Sequence, residues 1–242
     1  MNKPRIYVGC AGWSIGRDFA DGFSSEGTHL QRYAGRLTGV EINSSFYRPH
    51  RKATYERWAQ SVPEDFRFSV KMPKVITHEL RLAGCETELE AFLDQCAGLG
   101  ARLGCLLVQL PPSLAYDEAV AQRFFMALRE RCATPVVLEP RHESWGSAEP
   151  VLISHRVSQA AVDPSRISTD VSPGGTSNVR YWRLHGSPRI YHSPYDLPYL
   201  ENLAAQLETR QAESTWCIFD NTASGAAMAN ALALSALLDA HL

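Results

Sequence analysis

Val40-Glu41-Ile42-Asn43 alternates apolar with polar side chains and ends polar. Phe68-Ser69-Val70-Lys71, Val137-Leu138-Glu139 and Trp182-Arg183-Leu184-His185 repeat the pattern. Successive side chains on a strand face opposite sides, so each run sends its apolar residues one way and its polar residues the other. Buried charge is costly unless it is paired or used. Four strands ending alike therefore point to one shared pocket at their C-terminal ends. Glu41 and Asn43, two apart, are expected on one face.

Outward from these runs, strand-like segments recur near 5–9, 39–43, 67–71, 103–109, 135–139, 159–163, 179–185 and 215–220. Helical patterns lie between them, near 28–37, 53–60, 87–98, 119–132, 147–156 and 195–212, with a last one near 224–241. Such alternation fits an open doubly wound sheet or a closed barrel. Only closure gathers all eight strand ends around one mouth. The first turn, Gly9-Cys10-Ala11-Gly12-Trp13, also lacks the GxGxxG spacing common in open dinucleotide-binding sheets. The expectation is an α/β fold, a single (β/α)8 TIM-type barrel forming one domain over 1–242. The stretch from Asp163 to Asn178, rich in Ser, Pro, Gly and Thr, is read as an irregular loop replacing the helix after strand 6.

Composition sets the class. In 242 residues, 45% are apolar and 21% charged, values typical of a globular domain. A net charge of −2 provides no field to hold a polyanion and counts against a general nucleic-acid coat. Six cysteines, Cys10, Cys85, Cys96, Cys105, Cys132 and Cys217, form no CxxC pair and mostly fall in apolar patterns. Cys10, at a strand end, is the one thiol to suspect of reactivity. The opening MNKPRIYVGC passes straight into a strand without the apolar stretch of a signal peptide, and no run approaches the length of a membrane span. A reducing, cytoplasmic address is expected.

The segments GCAGWS at 9–14, VEINSSFYR at 40–48, FRFSVKMPKVITHE at 66–79 and LLVQLPPS at 106–113 resemble motifs of the DUF72 (YecE-like) family. LEPRHESW at 138–145, YWRLHGS at 181–187 and FDNTASGAAMANAL at 219–232 extend the resemblance, in family order, across nearly the whole chain. It implies a TIM-type barrel and brings no reaction with it. Two positions depart from the family pattern: Cys10 stands where Thr is common, and Phe219-Asp220-Asn221 replaces FNN, adding a carboxylate.

Barrel chemistry sits at the C-terminal strand ends. The candidate catalytic residues there are Glu41, Lys71, Glu139, His185 and Asp220. Candidate substrate-binding residues are Trp13, Asn43, Tyr47, Gln109, Arg141, His142, Arg183 and Asn221, with Gly225 and Ala226 where the last helix begins. Carboxylates beside amides and cations suit acid/base work and oxyanion stabilisation. A Ser cap before Gly225 and the free amides of that helix start would form an anion site, with Arg183 and Asn221 beside it. Glu41, Glu139, His185 and Asp220 are the donors a divalent cation would take, but no HxH, HxxxH or HExxH spacing supports a metal, and no cofactor is assigned. The reading is an enzyme using acid/base chemistry on a small polar or phosphorylated compound, a sugar or nucleotide derivative. Whether the reaction is hydrolysis, isomerisation or elimination stays open. The alternative is a non-catalytic ligand- or nucleic-acid-binding or processing protein using the rim Phe46, Tyr47, Arg48, His50, Arg51 and Lys52.

Overall fold

A computed structural model describes residues 5–165, 167, 172–176, 178–209 and 212–240. The strands are β1 (Arg5–Cys10), β2 (Gly39–Ile42), β3 (Arg67–Lys71), β4 (Leu103–Gln109), β5 (Val136–Glu139), β6 (Val157–Gln159), β7 (Ala161–Asp163), β8 (Gly174–Gly175), β9 (Val179–Leu184) and β10 (Ser214–Phe219). Seven α-helices alternate with them: α1 (His29–Ala34), α2 (Lys52–Gln60), α3 (Glu86–Cys96), α4 (Glu118–Arg131), α5 (Glu149–Ser154), α6 (Leu197–Leu207) and α7 (Ala226–Ala240). Every one of them overlaps a stretch with a helical pattern in the sequence, with α2, α3 and α4 each beginning one residue earlier than drawn.

The strands form two sheets, ordered β1-β10-β9-β7 and β2-β3-β4-β5-β6-β8. All pairings are parallel except β6 with β8. The expected single strand at 159–163 is two short ones. The chain pairs with β5 through Val157–Gln159, then changes partner and pairs with β9 through Ala161–Asp163. Ala160 stands between, its amide bonded to the Leu138 carbonyl at 2.9 Å. At the other flank a lone parallel bridge joins Ala11 to Glu41. Between β7 and β9 the described residues contain β8 and no helix, as the Ser/Pro/Gly content implied. Residues 166, 168–171 and 177 of that loop lie outside the described residues, as do 210–211 and 241, where the last two helical patterns were drawn.

Strand alternation sorts the interior into two layers. Val8, Val40, Ile42, Phe68, Val70, Leu106, Val108, Leu138, Trp182 and Phe219 pack among buried helix residues such as Leu30, Tyr55, Leu89, Phe125, Leu203 and Leu234. The opposite faces hold a smaller cluster of Tyr7, Cys105, Leu107, Val137, Ala160, Val179, Tyr181, Trp216 and Ile218. Each buried Val, Leu, Ile or Phe among them contributes roughly 1.5–3 kcal/mol through burial. Trp216 lies against Tyr7 at 4.6 Å between ring centres and stacks on Tyr181 at 6.1 Å. The two sheets meet through this layer, since Tyr181 of β9 shares a 3.0 Å hydrogen bond with Ser69 of β3.

Glycines leave room for the large rings. A Cβ at Gly104 would come within 2.3 Å of the Trp216 ring, and one at Gly9 within 1.9 Å of the Gly39 carbonyl oxygen. The second obstacle is backbone and cannot rotate away. Gly9→Ala is expected to destabilise by ~3 kcal/mol or more, the upper end of overpacking costs. Gly104→Ala is expected to cost less, because Trp216 can tilt. Urea midpoints of the two variants and the parent check the ordering.

Candidate functional site

Beyond the inner apolar layer, the same strand faces turn charged. Arg183, two residues past Tyr181 on β9, is 1% exposed and gathers the acids of three other strands. Its Nε donates to Glu41 Oε2 at 2.9 Å and its Nη2 to Glu41 Oε1 at 2.8 Å, a bidentate pair. Its Nη1 lies 3.2 Å from Glu139 Oε2 and 3.1 Å from Asp220 Oδ2. Asp220 follows the last residue of β10 and Glu139 ends β5, so alternation along separate strands brings all three acids to one guanidinium.

His185 follows the end of β9. Its Nδ1 is 2.9 Å from Asp220 Oδ2, and its Nε2 is 3.1 Å from Arg141 Nη2 and 3.3 Å from Glu139 Oε1. Guanidinium nitrogens only donate, so the Arg141 contact is a hydrogen bond when Nε2 holds a lone pair. The Nδ1 proton then goes to Asp220. A proton arriving at Nε2 would instead serve Glu139, while facing two guanidinium groups. Arg141, just past β5, reaches back to Glu139 with Nε at 2.8 Å and Nη2 at 2.7 Å. Its Nη1 approaches the Tyr191 hydroxyl at 3.5 Å.

Lys71, the last residue of β3, is 6% exposed, and its Nζ sits 4.2 Å from the centre of the Phe46 ring. That ring is placed by Ser45, whose hydroxyl donates to the carbonyls of Ile42 at 2.7 Å and Lys71 at 2.6 Å, fastening the ends of β2 and β3. Burial lowers the Lys71 pKa to about 8, helped by Arg183 and opposed by Glu41, Glu139 and Asp220. Burial alone would raise Glu139, yet Arg183, His185 and Arg141 outweigh it and hold the carboxyl well below its usual range. Asp220 is lowered in the same way, with Arg183 the strongest opponent of burial. The acids in turn hold Arg183 firmly protonated against burial.

The structure thus brings together Glu41, Lys71, Glu139, Arg141, Arg183, His185 and Asp220. Gln109 ends β4 beside them, in register with Glu139. Other candidates lie elsewhere. Asn43 does not share a strand face with Glu41, because β2 stops at Ile42 and Asn43 turns into a 3-10 segment at φ −81° and ψ −21°. His142 turns to its own chain, accepting from the Ser144 amide at 3.2 Å. Trp13 packs edge-on against Trp58 of α2 at 5.0 Å. Tyr47 is 68% exposed, one ring outside Phe46.

The anion site expected at the last helix is not assembled as drawn. The Asn221 amide donates to the Ser193 carbonyl at 2.9 Å and to Asn230 Oδ1 at 3.0 Å, and Arg183 is taken by the acids. Ser224 does not cap α7, since its hydroxyl goes to the His192 carbonyl at 2.5 Å. Gly225, at φ +81°, and the start of α7 border a cavity of about 310 Å³ with Gly12, Ser14 and Thr222, and no charged residue of the Arg183 cluster lines it. Cys10 is also no reactive thiol. Burial, against a Tyr33 hydrogen bond, pushes it up to about 12. Among the described residues no group of three or more His, Cys, Asp and Glu is placed to hold a metal.

Sequence reading passed over Tyr181 as a site residue. Its buried hydroxyl bonds Ser69 at 3.0 Å and Glu41 Oε2 at 3.3 Å. The 181-183-185 alternation carried the signal. Phe46 was expected only as a rim aromatic; its position under Lys71 left no trace in the sequence, because a 3-10 turn places it.

Arg183→Met is expected to cost about 3–5 kcal/mol by stranding three buried acids, and Arg183→Lys to restore little, since one ammonium cannot replace a fork. Chemical denaturation measures both. Glu139, held below its ordinary value, contributes stability that is complete above about pH 4.5 and is lost as pH falls through its lowered value. Glu139→Gln should therefore be less stable than the parent at pH 7 and lose less stability than it does below pH 4.5, in denaturation series across pH.

Relatives match this chain at the level of sequence, in part, and of fold. The family model described as "Protein of unknown function DUF72" matches residues 7–242. The UPF0759 protein YecE of Escherichia coli K12 is 31% identical over 121 residues, 50% of this chain and 43% of that protein. The UPF0759 protein YunF of Bacillus subtilis is 26% identical over 148 residues, 59% of this chain and 52% of that one. The chain spans about half the length of the curated relatives it matches. Two solved DUF72 structures superpose over nearly everything. One, from Thermotoga maritima, has a TM-score of 0.81 at 24% identity, covering 97% of this chain and 99% of that one. The other, from Enterococcus faecalis, has a TM-score of 0.80 at 23% identity, covering 97% and 95%. A family model matched from the first strand to the last residue means that this chain belongs to the DUF72 family.

Proposed function

We propose that the protein is an enzyme that performs acid/base chemistry on a small polar, anionic compound at the C-terminal strand ends, and that its two sheets close into one (β/α)8 TIM-type barrel around that site. Two features support closure: the Ala11–Glu41 bridge at one flank, and the single residue Ala160 separating β6 from β7 at the other. A ring of parallel strands makes the charged ends one mouth. We place the protein in the cytoplasm, where six unpaired thiols stay reduced. No described helix is long and apolar enough to cross a membrane.

The observation that carries the reading is His185, set between Asp220 at 2.9 Å and the Arg141–Glu139 pair. An imidazole oriented by a carboxylate on one nitrogen, with its other nitrogen exchanging between donor and acceptor partners, is equipped to move a proton. Glu41 serves differently from the acid/base role expected of it. Its two oxygens are occupied by one guanidinium, so it orients Arg183. Glu139, held ionised, positions His185 and Arg141. Arg141 keeps 20% of its side chain exposed, and Lys71, Gln109 and Asp220 keep the small remaining access. These four form the substrate side. Arg141 takes an anionic group and Lys71 stabilises developing negative charge.

In a screen of phosphorylated sugars, nucleotides and short acids, His185→Gln is expected to lower kcat by about 10²–10⁴-fold on any compound turned over. Arg141→Gln is expected to act chiefly on KM. Full turnover by His185→Gln would remove the proton-transfer role.

A second reading rests on Tyr47, Arg48 and Arg51, all exposed on one segment, as a surface for single-stranded nucleic acid. Lys52 and His50 weaken it, being engaged with Asp94 at 2.8 Å and Ser44 at 2.8 Å. Binding of a DNA or RNA oligonucleotide at low salt, lost in Arg48→Ala/Arg51→Ala, is its test. No binding at low salt removes it.

A further inference from the structure

The chain has four lysines, Lys3, Lys52, Lys71 and Lys74. Two of the three in the described residues are surface groups in ion pairs, Lys52 with Asp94 at 2.8 Å and Lys74 with Glu79 at 3.0 Å. Lys71 is the buried one, and among the described residues no carboxylate lies within salt-bridge distance of it, although Glu41, Glu139 and Asp220 are close enough to act on its charge. Competition explains this. All three acids are bonded to Arg183, Glu139 is shared with Arg141, and both Glu139 and Asp220 meet His185. What remains for the Lys71 ammonium is the face of Phe46.

A lysine kept for structure is either exposed or neutralised by an acid at contact distance. Lys71 is neither, and the cost of its charge falls when it becomes the free amine. Its pKa, brought to about 8 by burial and by Arg183, agrees with that placement. A free amine at a strand end, acted on by the same Glu139 and Asp220 that hold the His185 imidazole and the partly exposed Arg141, is a nucleophile in one charged cluster with a proton donor and an anion holder.

We infer that Lys71 forms an imine with the carbonyl carbon of a small aldehyde or ketone. The inference rests on the mouth being a small-molecule site, and it names the substrate class. The amine lone pair attacks the carbonyl carbon, forming the C–N bond and sending the π pair to oxygen. One proton passes from nitrogen to that oxygen, giving a carbinolamine. The hydroxyl then takes a second proton, supplied through the Asp220–His185 pair, and leaves as water. The nitrogen lone pair closes the C=N bond and leaves an iminium. Nothing is oxidised or reduced, and Arg141 holds an anionic substituent of the carbonyl compound.

The test uses the full chain with pyruvate or glycolaldehyde and sodium cyanoborohydride, whose hydride adds to an iminium carbon and fixes it as a secondary amine. Adducts are located by peptide mass spectrometry. Lys71 is expected to react on the order of tenfold or more faster at pH 7.5 than Lys52, whose basicity Asp94 raises, and faster than the surface lysine Lys74. Its rate should rise through pH about 8, whereas that of Lys52 keeps climbing at higher pH. Lys71→Met should remove the fast adduct. The comparison among lysines is made within the parent protein, so it does not depend on that variant folding. Absence of a Lys71 adduct with both probes, or labelling of Lys52 and Lys74 at an equal rate, overturns the inference. This readout is separate from turnover. A site doing acid/base work on other compounds gives no Lys71 adduct, yet still loses turnover in His185→Gln. A carbonyl-binding site without proton transfer gives the adduct and no such loss.

Discussion

The Arg183 guanidinium is the one group to which the rest of the site answers. A cation buried to 1% exposure must be surrounded by acids, and here they come from β2, from β5 and from the turn after β10. Those strands belong to both sheets, so the ion cluster and the sheet arrangement depend on one another. The cluster also stands directly above the Trp216–Tyr181–Tyr7 layer, which closes the space beneath it to water. Low local dielectric strengthens the pairs and makes any loss of a partner expensive.

A fully used arginine has a second effect. It consumes the carboxylates that the other cations would otherwise hold, so Lys71 is left with an aromatic face and Arg141 with a partial share of Glu139. Structural and chemical roles therefore divide cleanly within one cluster. Glu41 and Arg183 form the floor, locked and inaccessible. Lys71, Arg141, His185 and Asp220 form the part to which the proposed chemistry is assigned. Asp220 belongs to this division. It supplies the third acid on Arg183 and the partner that fixes the His185 tautomer.

The rim works by different physics. The 3-10 segment of Ser44–Phe46 and the loop carrying Tyr191 place rings against Lys71 and His185. Tyr191 does so from φ +68°, a conformation costly for a side chain of its size. Its amide donates to the His185 carbonyl at 2.6 Å, one of the contacts that holds it there.

Alternation along each strand was enough to name Glu41, Lys71, Glu139, Arg183, His185 and Asp220 as one set, because a two-residue period leaves a side chain only two directions. The order of strands and helices was legible for the same reason, and among the described residues no helix follows the sixth strand pattern before β9. Where the chain turns away at a strand end, that logic fails, although His185 and Asp220, one residue past β9 and β10, keep the phase. Asn43, His142 and Phe46 follow turns, where the chain direction is set by hydrogen bonds such as those of Ser45, and no period carries over from the strand. Pairing lay further still from the sequence. That Arg183 rather than Lys71 would take the acids depends on distances across four strands. Only the folded chain decides which cation reaches them first, and that choice leaves the lysine free.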